Sequence, residues 1–184
     1  MTSFAYRGAE LELFDHSYNG TRSNERAVEL AVARAWLADV DGVGLEVGNV
    51  LGHYADAIPT PARRIVDRYE PGVEALDVFA IGGSFDWIVS ISTLEHVRNG
   101  GGEHPNPRGA EAALVYLAGL LNPGGRMLVT VGLGQHPTLD DYLLARPDGV
   151  TLVRVRDTWC ETSAPVALPY GPDHGANAVW IGEA

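Results

Sequence analysis

The chain is poor in cysteine and in basic residues, and it has no long apolar run. Cys160 is the sole cysteine, so no disulfide can form within the chain. Lysine and arginine together number 13 against 24 acidic residues, and the net charge of -11 repels phosphate backbones. No apolar run reaches the roughly 20 residues of a spanning helix, and a secretory signal pattern is lacking. These absences predict a cytoplasmic protein without nucleic-acid or membrane partners.

Length and periodicity predict the fold class. The 184 residues, 46% of them hydrophobic, fit a single domain over residues 1–184. Apolar residues recur at helical spacing over two stretches, 24–38 and 110–121. Short apolar runs predict strands at 42–47, 65–67, 73–76, 85–91, 127–131, 152–155 and 179–181. Because strands alternate with helices, we expect a mostly parallel sheet covered on both faces, and a glycine- and proline-rich loop over 99–107.

The stretch 44–52 is the most informative segment of the sequence. An apolar run that includes Glu46 opens into Gly48 and Gly52, and Val50 stands where a dinucleotide fingerprint would place another glycine. Glycine lets the backbone approach a ligand closely, so the segment predicts a strand leading into a nucleotide-binding turn. Taken alone, the pattern fits an ordinary strand–turn–helix equally well.

Four segments, in this order and spacing, resemble the class I S-adenosylmethionine-dependent methyltransferases. They are Leu45–Gly52, Ile65–Asp67, Phe85–Val97 and Leu120–Val131. The resemblance implies a Rossmann-like three-layer α/β sandwich with a seven-stranded, mostly parallel sheet whose last strand is antiparallel. It implies a cofactor-binding core over 40–134, preceded by a lid and helix over 1–38 and followed by the final strands over 135–184.

The resemblance also implies that the glycine turn lies under the methionine and ribose parts of S-adenosylmethionine. Glu46, Gly48, Asn49 and Gly52 are therefore expected to be cofactor-binding positions. Glu46 either accepts a hydrogen bond from the ammonium group of the cofactor or ties down the turn, and the sequence leaves both roles open.

Acidic residues after the next two apolar runs are expected to bind the nucleoside. Asp67 is positioned to accept both ribose hydroxyls, with Glu70 as the alternative in the same loop. Asp77 occupies the place where the family has an acid that receives the adenine amine, and Val78 would pack on the ring. A turn-capping role for Asp77 is the alternative.

The segment after the apolar run 85–91 is expected to face the transferred methyl group. Ligands collect outside the carboxyl ends of strands in open α/β sheets, which assigns Ser92 and Leu94 to the cofactor site. His96 is the candidate catalytic base, because histidine titrates near neutral pH. Its alternative role is to line the pocket.

Parts of the chain that resemble the family least are expected to select the acceptor. In related enzymes the residues before the first strand cover the cofactor, so Tyr18 and Arg22 are candidate substrate-binding residues, although a solvated helix entry is the alternative. His136, in a predicted loop near the cofactor end of the sheet, is a third candidate.

These residues predict a metal-independent transfer of a methyl group to oxygen or nitrogen of a small molecule, by a monomer or homodimer. The acid that begins a catechol-type metal site is missing, so no metal is expected. The alternatives are a cofactor-binding module without transferase activity, and an enzyme that uses the bound cofactor to promote a rearrangement.

Overall fold

A computed structural model describes residues 3–97, 108–156, 158–163 and 176–183. The predicted loop over 99–107 lies outside the described residues. The strands are β1 Ser3–Tyr6, β2 Ala9–Glu12, β3 Gly44–Val47, β4 Arg63–Val66, β5 Phe85–Ile91, β6 Leu121–Gly132, β7 Gly149–Val155, β8 Thr158–Thr162 and β9 Ala178–Glu183. The helices are α1 Arg26–Leu37, α2 Gly109–Ala118 and α3 Pro137–Leu144, together with short 3₁₀ segments.

Seven strands form one sheet in the order β4-β3-β5-β6-β9-β7-β8. Strands β3 to β6 are parallel to one another, and β9 is antiparallel to both β6 and β7. The predicted mostly parallel, seven-stranded sheet with an antiparallel last strand is therefore confirmed. The chain leaves β3 toward β4 on one side and returns to β5 on the other, which creates a topological switch point where α/β folds bind ligands.

One predicted strand is wrong. The run 73–76 forms no strand, and Glu74 makes only a single parallel bridge to Val66. The Arg64 side chain binds the Glu74 carboxylate and the carbonyl of Gly82, so side-chain contacts cover the edge of β4 where a further strand would pair. The seventh strand of the sheet is instead β8, which pairs antiparallel with β7 at the opposite edge.

Helices cover both faces of the sheet. Alternate residues of a strand point to opposite faces, so each face presents its own apolar side chains to a helix layer. Trp87 and Val89 pack with the buried face of α1, whereas Ile88 packs with residues of α2 and α3. The ring of Trp87 meets that of Trp36 on α1 edge to face, with centroids 6.4 Å apart. Three layers result, and the carboxyl ends of the central strands are left open for a site.

Gly44 lies at a point of close packing between β3 and β5. A Cβ at this position would overlap the Trp87 ring, which lies directly opposite in the register of the two strands. We expect Gly44→Ala to lower the free energy of unfolding by about 1–3 kcal/mol in a urea titration. Gly82→Ala is the matched control, because a Cβ there has no atom within 4 Å and should change stability by less than about 0.5 kcal/mol. Equal stability of the two variants would contradict this packing.

Candidate functional site

A cavity of about 530 Å³ opens at the carboxyl ends of β3, β4 and β5. The predicted site residues in its wall are Tyr18, Gly48, Asn49, Asp67, Asp77, Val78, Ser92 and His96. The predicted site residues outside its wall are Arg22, Glu46, Gly52, Leu94 and His136. The structure thus brings together the turn after β3, the loop after β4, the end of β5 and the amino-terminal segment.

Gly48 is the residue of the turn that requires glycine. Its φ is +83°, its N–H donates to the carbonyl of Val66 over 2.8 Å, and a Cβ would overlap the Thr93 side chain. Val50, by contrast, has an ordinary right-handed conformation with φ of −80°. The turn therefore needs no glycine at residue 50, where the family pattern has one.

Glu46 ties down the glycine turn from below. Its Oε1 accepts the N–H of Leu51 over 2.7 Å, and its Oε2 accepts Nε of Arg63 over 2.5 Å. The side chain is buried, and burial raises its pKa, an effect that the Arg63 charge partly offsets. Of the two roles left open by the sequence, these contacts match the tying of the turn.

Asn49 connects the turn to the loop after β4. Its Nδ2 donates to Oε1 of Glu70 over 2.9 Å, and the same carboxylate oxygen lies 3.0 Å from Nε2 of His53. Gly52 lies behind Asn49, because a Cβ there would overlap the Asn49 amide. Gly52 therefore shapes the turn without lining the cavity.

Asp67 and Glu70 use their carboxylates differently. Asp67 Oδ1 accepts the backbone N–H groups of Tyr69 and Glu70 over 2.8 and 2.9 Å, and its Oδ2 lies 3.4 Å from the N–H of Asn49. Asp67 is thus engaged in holding its own loop and the glycine turn together. The Glu70 carboxylate contacts the side chains of Asn49 and His53, which a ligand can displace more readily than backbone groups.

Asp77 caps a short 3₁₀ segment, Val78–Ala80, at the edge of the cavity. Its Oδ1 accepts the N–H of Phe79 over 3.0 Å, and its Oδ2 lies 3.0 Å from Nη1 of Arg68. Val78 lies beside it in the wall together with Leu76, so a small apolar surface adjoins the carboxylate. Asp77 therefore has the capping role that was the alternative in the sequence analysis, and it also lies in the cavity wall.

The end of β5 contributes Ser92 and His96 to the wall. Ser92 has a φ of +38°, which residues other than glycine rarely adopt. Leu94 is buried in the core between the two. His96 reaches solvent at the rim, and burial of part of its ring together with the Arg26 charge lowers its pKa below 6.5. The imidazole is therefore neutral at pH 7 and able to accept a proton.

The amino-terminal segment contributes Tyr18 and Asn19 to the wall of the cavity. Tyr18 stacks on His53 with ring centroids 4.7 Å apart and meets Tyr54 edge to face at 5.5 Å. Asn19 and Gly20 follow with φ of +56° and +55° and form a kink, after which Thr21 Oγ1 lies 3.2 Å from the hydroxyl of Tyr54 in the wall. The amino-terminal segment thus borders the cavity through Tyr18 and Asn19.

The other two candidate substrate residues lie away from the cavity. Arg22 forms an exposed ion pair with Asp15 over 3.0 Å. His136 is buried at the start of α3, where its Nδ1 accepts the N–H of Leu139. Its contacts are those of a helix cap.

Sequence reasoning missed Arg26 and Glu29. Both appeared as charges between the apolar positions of α1, yet Arg26 lies in the cavity wall and Glu29 is fully buried. The available signal was their i,i+3 spacing with opposite charge, which permits a pair on one helix face. In the described ranges, no three histidine, cysteine or acidic side chains group as a metal site, and no helix is long and apolar enough to cross a membrane.

No protein-family model matches the sequence, and no curated protein sequence does either. Among solved structures, the chain is similar to the N-methyltransferase NodS from Bradyrhizobium japonicum WM9 in complex with S-adenosylhomocysteine, with a TM-score of 0.51 and 13% identity. That alignment covers 92% of this chain and 91% of NodS. Magnesium protoporphyrin IX methyltransferase from Synechocystis PCC 6803 aligns with a TM-score of 0.48 and 13% identity, over 92% of this chain and 86% of that one.

The likeness to NodS extends over nearly the whole of both chains and, at this identity, concerns the fold. The Rossmann-like fold of class I methyltransferases, which the sequence predicted, is therefore confirmed for this chain.

Glu95 generates a prediction about stability. It is fully buried just after β5, and burial, with a contribution from Glu29, raises its pKa from 4.5 to about 8. Between these two values the folded protein holds a proton that the unfolded chain has lost. The Glu95 contribution to stability is therefore complete below about pH 4.5 and is lost as the pH rises toward 8, by at most about 1.4 kcal/mol per pH unit.

We expect Glu95→Gln to remove this part of the pH dependence. Urea unfolding of both proteins at pH 5, 6, 7 and 8 measures it, and wild type should lose stability relative to the variant as the pH rises. Parallel pH profiles would show that Glu95 is ionised in the folded protein at neutral pH.

Proposed function

We propose that the protein transfers a methyl group from S-adenosylmethionine to an oxygen or nitrogen atom of a small-molecule acceptor. The observation that carries the proposal is the cavity at the switch point between β3 and β5, in a chain with the fold of a methyltransferase. Its volume of about 530 Å³ lies within the roughly 300–1,000 Å³ that is usual for small-molecule sites. NodS, the similar structure, is itself described with S-adenosylhomocysteine.

The side chains of the wall fit this cofactor in chemistry. Glu70 is the group that we assign to the ribose hydroxyls, because Asp67 is already engaged by backbone N–H groups. Asp77 offers an acceptor for an exocyclic amine, and the apolar side chains of Leu76 and Val78 beside it suit a purine ring. The glycine turn at Gly48 then lies along the remaining part of the molecule.

In this reaction the protein aligns the acceptor atom with the methyl group and takes up the proton that the acceptor loses. When bound, S-adenosylmethionine supplies a methyl group already activated on a sulfonium, so the acceptor atom needs close, in-line placement. Tyr18 and Asn19, which lie in the wall, act as a lid that restricts how an acceptor enters. His96, neutral at pH 7, accepts the acceptor's proton on a ring nitrogen.

Product analysis tests the proposal. Purified protein is incubated with S-adenosylmethionine and a panel of small phenols, amines, acids and sugars, and products are identified by mass spectrometry. The proposal predicts a methylated acceptor and S-adenosylhomocysteine in equal amounts. Conversion of an acceptor without S-adenosylhomocysteine would instead support cofactor-assisted rearrangement, and binding without conversion across the panel would support a non-catalytic module.

The ribose assignment gives a prediction for two neighbouring acids. We expect Glu70→Gln to weaken S-adenosylhomocysteine binding by about 1–3 kcal/mol in calorimetry, through weaker hydrogen bonds to the ribose, with unfolding unchanged. Asp67→Asn should chiefly lower stability, because Asp67 holds its own loop. If only the Asp67 variant lost affinity and its stability were normal, the ribose hydroxyls would be assigned to Asp67.

The role of His96 gives a second prediction. We expect His96→Ala to lower kcat by roughly a hundredfold while leaving the affinity for S-adenosylhomocysteine unchanged. Because the pKa of His96 is lowered from 6.5, the wild-type rate should rise with pH and reach half of its maximum below pH 6.5, and the variant should lack this step. The same rate and pH profile in both proteins would assign His96 to pocket lining.

A further inference from the structure

Glu29 joins three elements behind the cavity through one buried carboxylate. Its Oε1 accepts hydrogen bonds from the hydroxyl groups of Ser92, over 2.5 Å, and Thr130, over 2.7 Å. These bonds connect α1 to the end of β5 and to β6. Its Oε2 accepts Nη1 of Arg26 over 2.9 Å. A charge without solvent contact is tolerated only when it is paired and hydrogen-bonded, and Glu29 meets both conditions.

Arg26 is a buried cation in the cavity wall. Its side chain is 15% exposed, whereas Arg68, the other arginine in the wall, is 45% exposed and pairs with Asp77. Burial opposes the charge of Arg26, but the surrounding carboxylates outweigh this effect and raise its pKa, so the guanidinium remains charged. Over the described part of the chain, the guanidinium makes one hydrogen bond, to Glu29, which leaves further N–H donors for a ligand.

Arg26 lies between the glycine-turn side of the cavity and the end of β5. Its partner Glu29 contacts Ser92 at the end of β5, and Arg26 lines the cavity together with Tyr54, which follows the glycine turn. The acids assigned to the ribose and adenine, Glu70 and Asp77, belong to the loops after β4 instead. The guanidinium therefore adjoins the part of the cavity left for the amino-acid portion of the cofactor.

We propose that Glu29 is a positioning residue that holds the Arg26 guanidinium at the cavity wall, where it binds the carboxylate of the cofactor's amino-acid portion. This inference rests on the proposed function. Glu29 also fixes Ser92, whose left-handed backbone is held by the Glu29 contact and by an N–H bond to the carbonyl of Thr130 over 2.9 Å. One buried carboxylate thus orders the helix under the lid and the end of β5 together.

A double substitution separates this role from a purely structural ion pair. Glu29→Gln alone leaves Arg26 buried without its counter-charge, which destabilises the fold whatever the function. Arg26→Gln combined with Glu29→Gln removes both charges and should recover the urea midpoint. The matched control is Arg146→Gln with Asp148→Asn, which removes an Arg–Asp pair whose residues lie outside the cavity wall.

The probes are S-adenosylhomocysteine and 5′-methylthioadenosine, which shares the nucleoside thioether but lacks the amino-acid portion. In the Arg26/Glu29 double variant we expect S-adenosylhomocysteine to bind at least tenfold more weakly than in wild type, and 5′-methylthioadenosine to bind equally well. The Arg146/Asp148 variant should bind both probes as wild type does.

Three results would overturn the inference. The first is wild-type affinity for S-adenosylhomocysteine in the double variant at recovered stability, which would make the pair structural. The second is equal weakening of both probes, which would place Arg26 at the nucleoside. Failure of wild type to bind either probe would instead overturn the proposed function, and this inference with it.

Discussion

The carboxylate of Glu46 fixes the geometry on which the site depends. It bridges the N–H of Leu51, beyond the glycine turn, and Arg63 on β4, so the turn is held against two neighbouring strands. Asn49, His53 and Tyr54 all project into the cavity wall from this short segment. Because each Glu46 oxygen accepts a hydrogen bond from within the protein, the acid stabilises the shape of the turn.

Some charged groups around the cavity stabilise the protein's own loops and turns, and others are available to bind a ligand. Asp67 accepts backbone N–H groups, whereas the carboxylate of Glu70 contacts the side chains of Asn49 and His53. Arg26 is oriented by Glu29 behind the wall. The amino-terminal segment is likewise held in place within the protein, by the stacking of Tyr18 on His53. Preorganisation of this kind reduces the ordering that ligand binding would otherwise require.

The strands that the sequence predicted best are those with contiguous apolar runs. The run 85–91 corresponds residue for residue to β5, because a strand buried on both faces needs no polar alternation. The run 73–76 failed because it follows Pro71 and Gly72, and the Arg64–Glu74 pair already covers the sheet edge. The half-exposed strands β1, β2 and β8 were missed, since four or five residues carry little periodicity.

The site was predictable where neighbours in sequence form it and unpredictable where distant residues do. The turn at Gly48 and the cap at Asp77 could be predicted from local patterns, since a turn and a cap depend on adjacent residues. The burial of Glu29 could not be found in this way, because its partners Ser92 and Thr130 lie 63 and 101 positions further along the chain. Helical periodicity alone treats such a residue as a surface charge.

Calorimetric titration with S-adenosylmethionine and S-adenosylhomocysteine tests the central claim most directly. The protein is first unfolded and refolded to remove any carried-over ligand, and refolding is verified by circular dichroism. We expect one-to-one binding of both compounds with micromolar dissociation constants. Absence of binding to either compound by correctly refolded protein would contradict the assignment of the cavity to this cofactor.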